Sequence, residues 1–185
     1  MDNRLFVEAV LYRYRAGTPW RDLPERFGDR KNVHRRFSRW SKSSVWERLF
    51  SRLAADADNE YAMIDSTIAG AQKVGADQTI GRSRGGLSTK IHTMADALGK
   101  PVRFFLTGGE AYDLVGADHL LPSMSADTLI ADKAFDADER VIEPLTRIDK
   151  AFVIPPKANR LTIRGYDREL YKTRHRIENF FAKLK

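Results

Sequence analysis

The sequence predicts an α/β protein of the α+β kind, with an N-terminal helical module followed by a mixed β-sheet with flanking helices. Two observations predict this fold class. Apolar residues follow the helical period up to residue 57, whereas short β-prone runs alternate with helical stretches from residue 58 onward. Residues 1–57 also hold 13 Lys and Arg against 7 Asp and Glu, while residues 58–185 hold 19 against 18. We therefore divide the chain into domains of residues 1–57 and 58–185.

The composition excludes several classes of protein. Hydrophobic residues make up 42% of the 185 residues, which is enough for a folded core. Cysteine is absent, which excludes a disulfide framework, thiol chemistry and Cys-based zinc sites. No apolar run approaches the ~20 residues that span a bilayer, and no signal-peptide pattern opens the chain. We expect a soluble cytoplasmic protein without a membrane partner. The net charge of +7, concentrated in the first third, points to a polyanion such as nucleic acid.

Four short helices are predicted within residues 1–57. The first begins at a cap formed by Asp2 or Asn3 and ends at Gly17, a natural helix stop. The second has Thr18 as its cap and Pro19 at the first helical position. Four such helices indicate a helix-turn-helix-like module.

The third predicted helix is strongly basic. Residues 30–42 contain six Lys and Arg and no acid, and Val33, Phe37 and Trp40 share the opposite face. A recognition helix that enters the major groove of DNA is basic on one face and packed on the other. The alternative is a small helical bundle with a solvated basic face. The candidate DNA contacts on this helix are Lys31, Arg35, Arg39 and Lys42.

The fourth predicted helix has an apolar stripe of Val45, Leu49 and Leu53. We interpret the three tryptophans of the module as core residues rather than base-stacking platforms. They are Trp20, Trp40 and Trp46.

Eight elements are predicted after residue 58, in the order strand, strand, strand, helix, strand, helix, strand, helix. They are strands over 61–68, 87–96 and 102–109, a helix over 111–121, a strand over 127–135, a helix over 136–145, a strand over 150–156 and a closing helix over 171–185. The second and third strands form a hairpin. Residues 72–86 show neither the helical nor the strand period and are predicted to be a Gly-rich basic loop.

Two aspartates stand at apolar strands, Asp65 within the first and Asp132 after the buried run 129–131. An ionised carboxylate in such a place is unfavourable by several kcal/mol unless it is paired or binds a metal. Capping of the next turn is the alternative for each. Asp136 is interpreted as a helix cap, and His92 and His175 are assigned no role.

The closing helix places four polar residues along the edge of its apolar face, if residues 171–185 form one continuous helix. Glu178 then faces the body of the protein, where a packed helix borders a cleft. The four residues are Tyr171, Arg174, Glu178 and Lys185.

These four residues reproduce the Y-x2-R-x3-E-x6-K signature, and the chain resembles the DDE transposases of bacterial insertion sequences, in particular the insertion-sequence-five group. The blocks "IDSTIAGAQKVGA", "LIADKAFDAD", "VIPPKANR" and "GTPWRDLPERFG" are similar to that group in the same order. The resemblance covers essentially the whole chain.

The resemblance implies a ribonuclease-H-like fold in which Asp65, Asp132 and Glu178 are the catalytic residues and the metal ligands. Three hard oxygen ligands suit two Mg²⁺ ions, for which Mn²⁺ can substitute. Arg174 and Lys185 are expected to contact DNA phosphate, and Tyr171 to support the helix or the nucleic acid. The basic loop adds two candidate DNA contacts, Arg82 and Arg84.

The resemblance further implies metal-dependent DNA strand cleavage and transfer at the terminal inverted repeats of an insertion sequence. The expected partners are those repeats, target DNA and further copies of the chain in a paired-end complex, in the nucleoid of a bacterial cytoplasm. Relative to the usual length of that group, we expect a chain truncated at both ends, with a catalytic domain that lacks its C-terminal end. The alternative hypothesis is a truncated, catalytically inactive DNA-binding product, and a non-specific nuclease is the third.

Overall fold

The computed structural model describes residues 2–70, 79–83 and 86–184. The chain divides into two compact units, Met1–Leu53 and Ala54–Lys185. None of the helices in these described ranges is long and apolar enough to cross a membrane.

The first unit is helical. Its helices are α1 (Asn3–Ala16), α2 (Arg30–Lys42) and α3 (Val45–Ala54). Asp2 stands at the N-cap position of α1, but its side chain accepts no capping hydrogen bond. The helix ends at Gly17 as predicted, where a φ of 64° suits a residue without a side chain. The carboxylate of Asp29 caps α2 by accepting the backbone N–H groups of Lys31 and Asn32.

The predicted second helix is wrong. Two short 3₁₀ turns, Trp20–Asp22 and Glu25–Phe27, stand in its place. Pro24 forces the preceding residue Leu23 into an extended conformation, so one helix cannot pass through this stretch. Thr18 does not cap the segment: Pro19 stands in extended geometry before the first turn, no side chain caps that turn, and the Thr18 hydroxyl is buried without a hydrogen-bond partner.

The core of the first unit is aromatic. Phe6, Phe27 and Val33 are fully buried, and the three tryptophans pack against them as predicted. Trp40 meets Phe6 edge-on with ring centroids 4.8 Å apart.

Helix α3 packs differently from the prediction. Leu49 and Leu53 of the expected stripe are 41% and 71% exposed, whereas Trp46 contacts the rings of Phe6 and Trp40. A tryptophan buries far more apolar area than a leucine, so the position of the indole decides which face turns inward.

Six strands form one sheet within the described part of the second unit. They are β1 (Ala62–Gly70), β2 (Gly81–Ser83), β3 (Gly86–Ala95), β4 (Pro101–Gly108), β5 (Thr128–Ile130) and β6 (Ala151–Val153). Strand β3 pairs antiparallel with β1 on one side and with β4 and β2 on the other. Strands β5 and β6 continue the sheet beyond β1 in parallel. The antiparallel strands extended by parallel ones make this a mixed sheet with helices packed on it, as predicted.

Strand β2 corrects the prediction of a structureless loop over 72–86, since Gly81, Arg82 and Ser83 pair with the start of β3. A three-residue strand is too short to leave a period in the sequence. The first part of the predicted loop, residues 72–78, lies outside the described residues.

Each face of the sheet carries its own core. Ala62, Ile64 and Leu129 point to the face covered by α4 (Asp113–Leu120) and α5 (Glu143–Arg147), while Met63 and Ile130 point to the opposite face. The predicted helix over 136–145 begins as a π-helical turn, Asp138–Ile142, that runs into α5. Alternation of side chains along each strand separates the two cores.

The closing helix is not continuous as predicted. It consists of α6 (Arg168–Lys172) and α7 (His175–Leu184), joined by a turn at Thr173 and Arg174. The Thr173 hydroxyl donates to the Leu170 carbonyl at 2.7 Å, and Nδ1 of His175 contacts the Lys172 carbonyl at 2.7 Å. These local bonds compete with the i to i−4 ladder and break the helix at this point.

Candidate active site

The register of β1 and β5 brings two predicted acids together. Met63 pairs with Ile130 in the parallel ladder, and Asp65 and Asp132 each follow two residues later. Because side chains alternate, both carboxylates lie on the face of Met63 and Ile130, which α7 covers. Parallel pairing therefore makes neighbours of two acids that are 67 positions apart.

The two aspartates are held in the same way. Oδ1 of Asp65 accepts the backbone N–H of Ser66 at 2.8 Å, and Oδ1 of Asp132 accepts the N–H of Ala134 at 2.8 Å. The second oxygen of each carboxylate, Oδ2, faces Arg174. Asp132 thus caps the turn that follows it, which was the alternative interpretation of this residue, and it still presents its second oxygen to the site.

Helix α7 is fastened to the sheet beside these acids. Ile177 and Phe181, one turn apart, are buried against Met63 and Ile130. The guanidinium of Arg176 donates to the Tyr61 hydroxyl at 2.9 Å.

The β3–β4 turn also fits closely against α7. A Cβ on Gly99, where φ is 78°, would lie 2.9 Å from Cβ of Arg176. This close approach requires glycine and fixes the start of the helix.

Arg174 joins the three predicted acids. Its guanidinium lies 3.2 Å from Oδ2 of Asp65 and 3.9 Å from Oδ2 of Asp132, and it also donates to Glu178 one turn along α7. The side chain of Arg174 is 13% exposed, that of Glu178 57%. The sequence reasoning placed Glu178 at a cleft edge, and the structure places it at the outer rim of this cluster.

Burial shapes the electrostatics of the cluster. It raises the pKa of Asp65 to about 6, although Arg174 and the Ser66 N–H favour the carboxylate. Burial opposes the charge on Arg174, but Asp65 and Glu178 outweigh it and raise the pKa of the guanidinium. Burial likewise raises the pKa of Tyr171. Arg174 is therefore cationic and Asp65 is ionised at neutral pH.

The donor set suits a divalent metal. Three carboxylates already share one cationic group, and oxygens of this kind are the ligands that Mg²⁺ and Mn²⁺ prefer. As they stand around the guanidinium, no three acidic or histidine side chains in ranges 2–70, 79–83 and 86–184 lie close enough to hold one ion.

Asp136 is a buried anchor and not a helix cap, which corrects the prediction. Its carboxylate accepts the Lys157 N–H at 2.8 Å and pairs with Arg160 at 2.7 Å and with Arg164. Burial opposes its charge, but these partners lower its pKa below the usual value. The carboxylate ties segment 157–164 to the turn after Asp132. Sequence reasoning missed this role because the partners lie more than 20 positions away.

A polar cluster occupies the opposite face of the sheet, beneath α4. His92 is 1% exposed, and its Nε2 lies 2.9 Å from the Thr107 hydroxyl. Nζ of Lys90 pairs with Asp113 at 2.8 Å, and Ser66 donates to the same carboxylate. This cluster lies across the sheet from Asp65 and was not foreseen, since isolated polar residues leave no period in the sequence.

The basic face of α2 is open to solvent. A shallow groove of about 450 Å³ runs beside the helix. It is lined by Gly28, Asp29, Asn32, Arg35, Arg36 and Arg39. The four side chains predicted to contact DNA, Lys31, Arg35, Arg39 and Lys42, are all exposed.

The remaining predicted contacts divide as follows. Arg82 is exposed on β2, and Tyr171 packs edge-on against Tyr166 at 5.5 Å. Arg84 and Lys185 lie outside the described residues.

Comparison with known proteins gives two family matches. A family described as "Transposase DDE domain" matches residues 58–185, and one described as "Putative transposase of IS4/5 family" matches residues 1–50. The chain is 46% identical over 85 residues to the uncharacterized protein y4sN of Sinorhizobium fredii, a match that covers 46% of this chain and 66% of that protein. It is 36% identical over 100 residues to a "Putative transposase for insertion sequence element IS6501" of Brucella ovis, covering 54% of this chain and 77% of that protein.

Two more distant similarities were found. An uncharacterized 16.2 kDa protein of insertion element IS402 from Burkholderia cepacia is 33% identical over 91 residues, 45% of this chain and 60% of that protein. Among solved structures, the Mos1 transposase paired-end complex with left transposon end matches with 12% identity and a TM-score of 0.36, over 97% of this chain and 77% of that chain. The DDE domain family matches residues 58–185, which is more than half of this chain, and the IS4/5 family matches residues 1–50. The chain therefore belongs to the DDE transposases of insertion sequences.

Proposed function

We propose that this transposase binds the terminal inverted repeats of its insertion sequence and performs metal-dependent cleavage and transfer of the DNA strands. The observation that carries the proposal is the gathering of Asp65, Asp132 and Glu178 around one guanidinium. The three acids, one from β1, one from the turn after β5 and one from α7, each contact the Arg174 side chain, although 113 positions separate the first acid from the last.

In this proposal the three carboxylates hold two Mg²⁺ ions, or Mn²⁺ in their place. When bound, the ions supply activation of a water or 3′-hydroxyl and stabilisation of the leaving oxygen. Asp65 and Asp132 contribute rigid oxygens, since a backbone N–H fixes each carboxylate. Glu178 contributes a more exposed oxygen from the solvent-facing rim.

The exposed basic side chains would bind the DNA. Lys31, Arg35, Arg39 and Lys42 on α2 would contact phosphates or bases of the inverted repeats. Arg82 and Arg84, with Tyr171, Arg174 and Lys185, would contact DNA near the cleaved strand. The family resemblance supports self-association into a paired-end complex, and the bacterial nucleoid as its place of action.

A cleavage assay tests the proposal. Linear DNA that carries the element ends is incubated with the full chain and Mg²⁺, and nicking at the 3′ ends and strand transfer are followed on sequencing gels. We expect Asp65→Asn, Asp132→Asn and Glu178→Gln each to reduce both products to the level of the protein-free control, because each change removes one anionic metal ligand.

Glu169→Gln is the matched control, since Glu169 is exposed and pairs only with Lys172 among the ion pairs of the described residues. It should cleave like the wild type. Unchanged cleavage by the three acid variants contradicts the proposed mechanism. Binding to the inverted repeats without nicking under any divalent metal favours the inactive DNA-binding product instead.

A further inference from the structure

Arg174 binds the same carboxylate oxygens that a metal ion would need. Its guanidinium reaches Oδ2 of Asp65 at 3.2 Å and Oδ2 of Asp132 at 3.9 Å. The other oxygen of each carboxylate is already engaged by a backbone N–H at 2.8 Å. Any further cation therefore meets Arg174 at these two oxygens.

The position of Arg174 in the chain suits an exchangeable group. The residue lies in the turn between α6 and α7, where its backbone N–H bonds to Tyr171, three residues back, and not within a full helical ladder. Its Nε is buried without a hydrogen-bond partner, so the guanidinium is incompletely satisfied where it lies. Such a group loses less on moving than one with all its donors bonded.

The charges explain why a cation belongs at this position. The charges of Asp65 and Asp132 repel one another, and the burial of Asp65 weakens the screening of that repulsion. Arg174, with a side chain 13% exposed, opposes the repulsion from within the cluster.

We propose that Arg174 is a positioning residue that competes with the divalent metal for Asp65 and Asp132, so that it sets the metal concentration at which the site is filled. The inference rests on the proposed metal-binding role of the three acids. In the absence of metal the guanidinium keeps the carboxylates together, and metal entry requires it to leave Oδ2 of both aspartates.

Mn²⁺ affinity tests the inference without reference to catalysis. Isothermal titration calorimetry is carried out on the full chain without DNA at about pH 8, well above the pKa of a carboxyl group. We expect Arg174→Gln to bind Mn²⁺ about tenfold more tightly than the wild type, because a competing cation beside the metal is removed. A purely structural role would leave the affinity unchanged or weaken it.

Lys172→Gln is the matched control. It removes one positive charge two residues away, from a side chain that is 70% exposed and pairs with Glu169. Its affinity should stay within about twofold of the wild type, because exposed charges are well screened. Arg174→Lys keeps the charge but not the planar fork, and it should bind Mn²⁺ with an affinity between those of the wild type and Arg174→Gln.

The outcomes distinguish a failure of the Arg174 competition from a failure of metal binding by the three acids. If the wild type binds Mn²⁺ and Arg174→Gln binds equally or more weakly, the competition is refuted while the metal site stands. If neither protein binds Mn²⁺, the metal-binding role itself fails, and the competition with it. Should Arg174→Gln not fold, the same comparison is made with Arg174→Lys, and equal or weaker binding by that variant refutes the competition.

Discussion

Two aspartates of the site are built alike although they lie far apart in the chain. In Asp65 and in Asp132 one carboxylate oxygen is bonded to a nearby backbone N–H, and the other is directed to Arg174. A carboxylate fixed on one side cannot rotate freely, so its second oxygen is preorganised for a cation. Burial raises the pKa of Asp65 to about 6 even though the Arg174 guanidinium beside it favours the ionised form.

His92 lets the stability of the second unit be tested at the residue scale. Burial is the main reason that its pKa is lowered to about 4, with Lys90 nearby adding to the effect. Between about pH 6.5 and pH 4 the unfolded chain takes up a proton that folded His92 refuses, so stability falls as the pH falls. Relative to His92→Gln, we expect the wild type to lose up to about 3 kcal/mol of unfolding free energy over this window, measured by urea denaturation.

The exposed residue His34 provides the control, and the curve of His34→Gln should run parallel to that of the wild type. Asp65 acts in the opposite sense, because its raised pKa favours the folded state below about pH 6. That contribution is present in both proteins and cancels in the comparison. Parallel curves for the wild type and His92→Gln would contradict the prediction.

At the scale of elements, α4 lies directly on the sheet through a glycine. A Cβ on Gly116 would lie 2.2 Å from Nδ1 of His92 and 2.4 Å from Cγ of the same ring. The ring cannot move aside easily, since it is buried and its Nε2 is bonded to Thr107. The sequence placed Gly116 inside a helix, where glycine is unfavourable by roughly 1 kcal/mol relative to alanine. Its presence there is explained by this contact.

We therefore expect Gly116→Ala to lower the free energy of unfolding by about 1–3 kcal/mol, because overpacking outweighs the gain in helix propensity. Chemical denaturation with circular dichroism measures the change. Gly165→Ala is the control, since a Cβ there meets nothing within 4 Å. A Gly116→Ala protein as stable as the wild type would show that α4 can shift without loss.

At the scale of the whole molecule, positive charge and acidic cluster belong to different units. The exposed cations of α2 lie in Met1–Leu53, and the three acids lie in Ala54–Lys185. The proposal thus assigns most of the end recognition to one unit and the chemistry to the other. The two activities should be separable by mutation.

Salt dependence of DNA binding tests this separation. Arg35→Ala should weaken binding to a DNA duplex and reduce the slope of log K against log salt by about one, as expected when one phosphate contact is lost. Fluorescence anisotropy over a salt series measures both quantities. Mn²⁺ affinity should not change in this variant.

Arg147→Ala is the control for that experiment, because it removes an exposed cation of the second unit that pairs with Glu143. Its salt slope should equal that of the wild type. A slope in Arg35→Ala that also equals the wild-type slope would show that α2 does not contact phosphate, and the solvated helical bundle would then be the better interpretation of the first unit.

The sequence by itself determined the order of most elements and singled out three candidate acids. Hydrophobic period and glycine or proline stops are local signals, and they located α1, the β3–β4 hairpin and the strands that carry or precede Asp65 and Asp132. Where local signals were weak or in conflict, the predictions were wrong, as at Pro24, at the short strand β2 and at the turn through Arg174.

Only the tertiary structure decided which distant residues contact one another. Parallel pairing of β1 with β5 sets Asp65 beside Asp132, and packing of Ile177 brings Arg174 onto both. The buried anchor at Asp136 and the contact of Gly116 with His92 likewise join residues more than 20 positions apart. Contacts of this kind depend on strand register and on the volume of facing side chains, and neither is encoded in the period of a single segment.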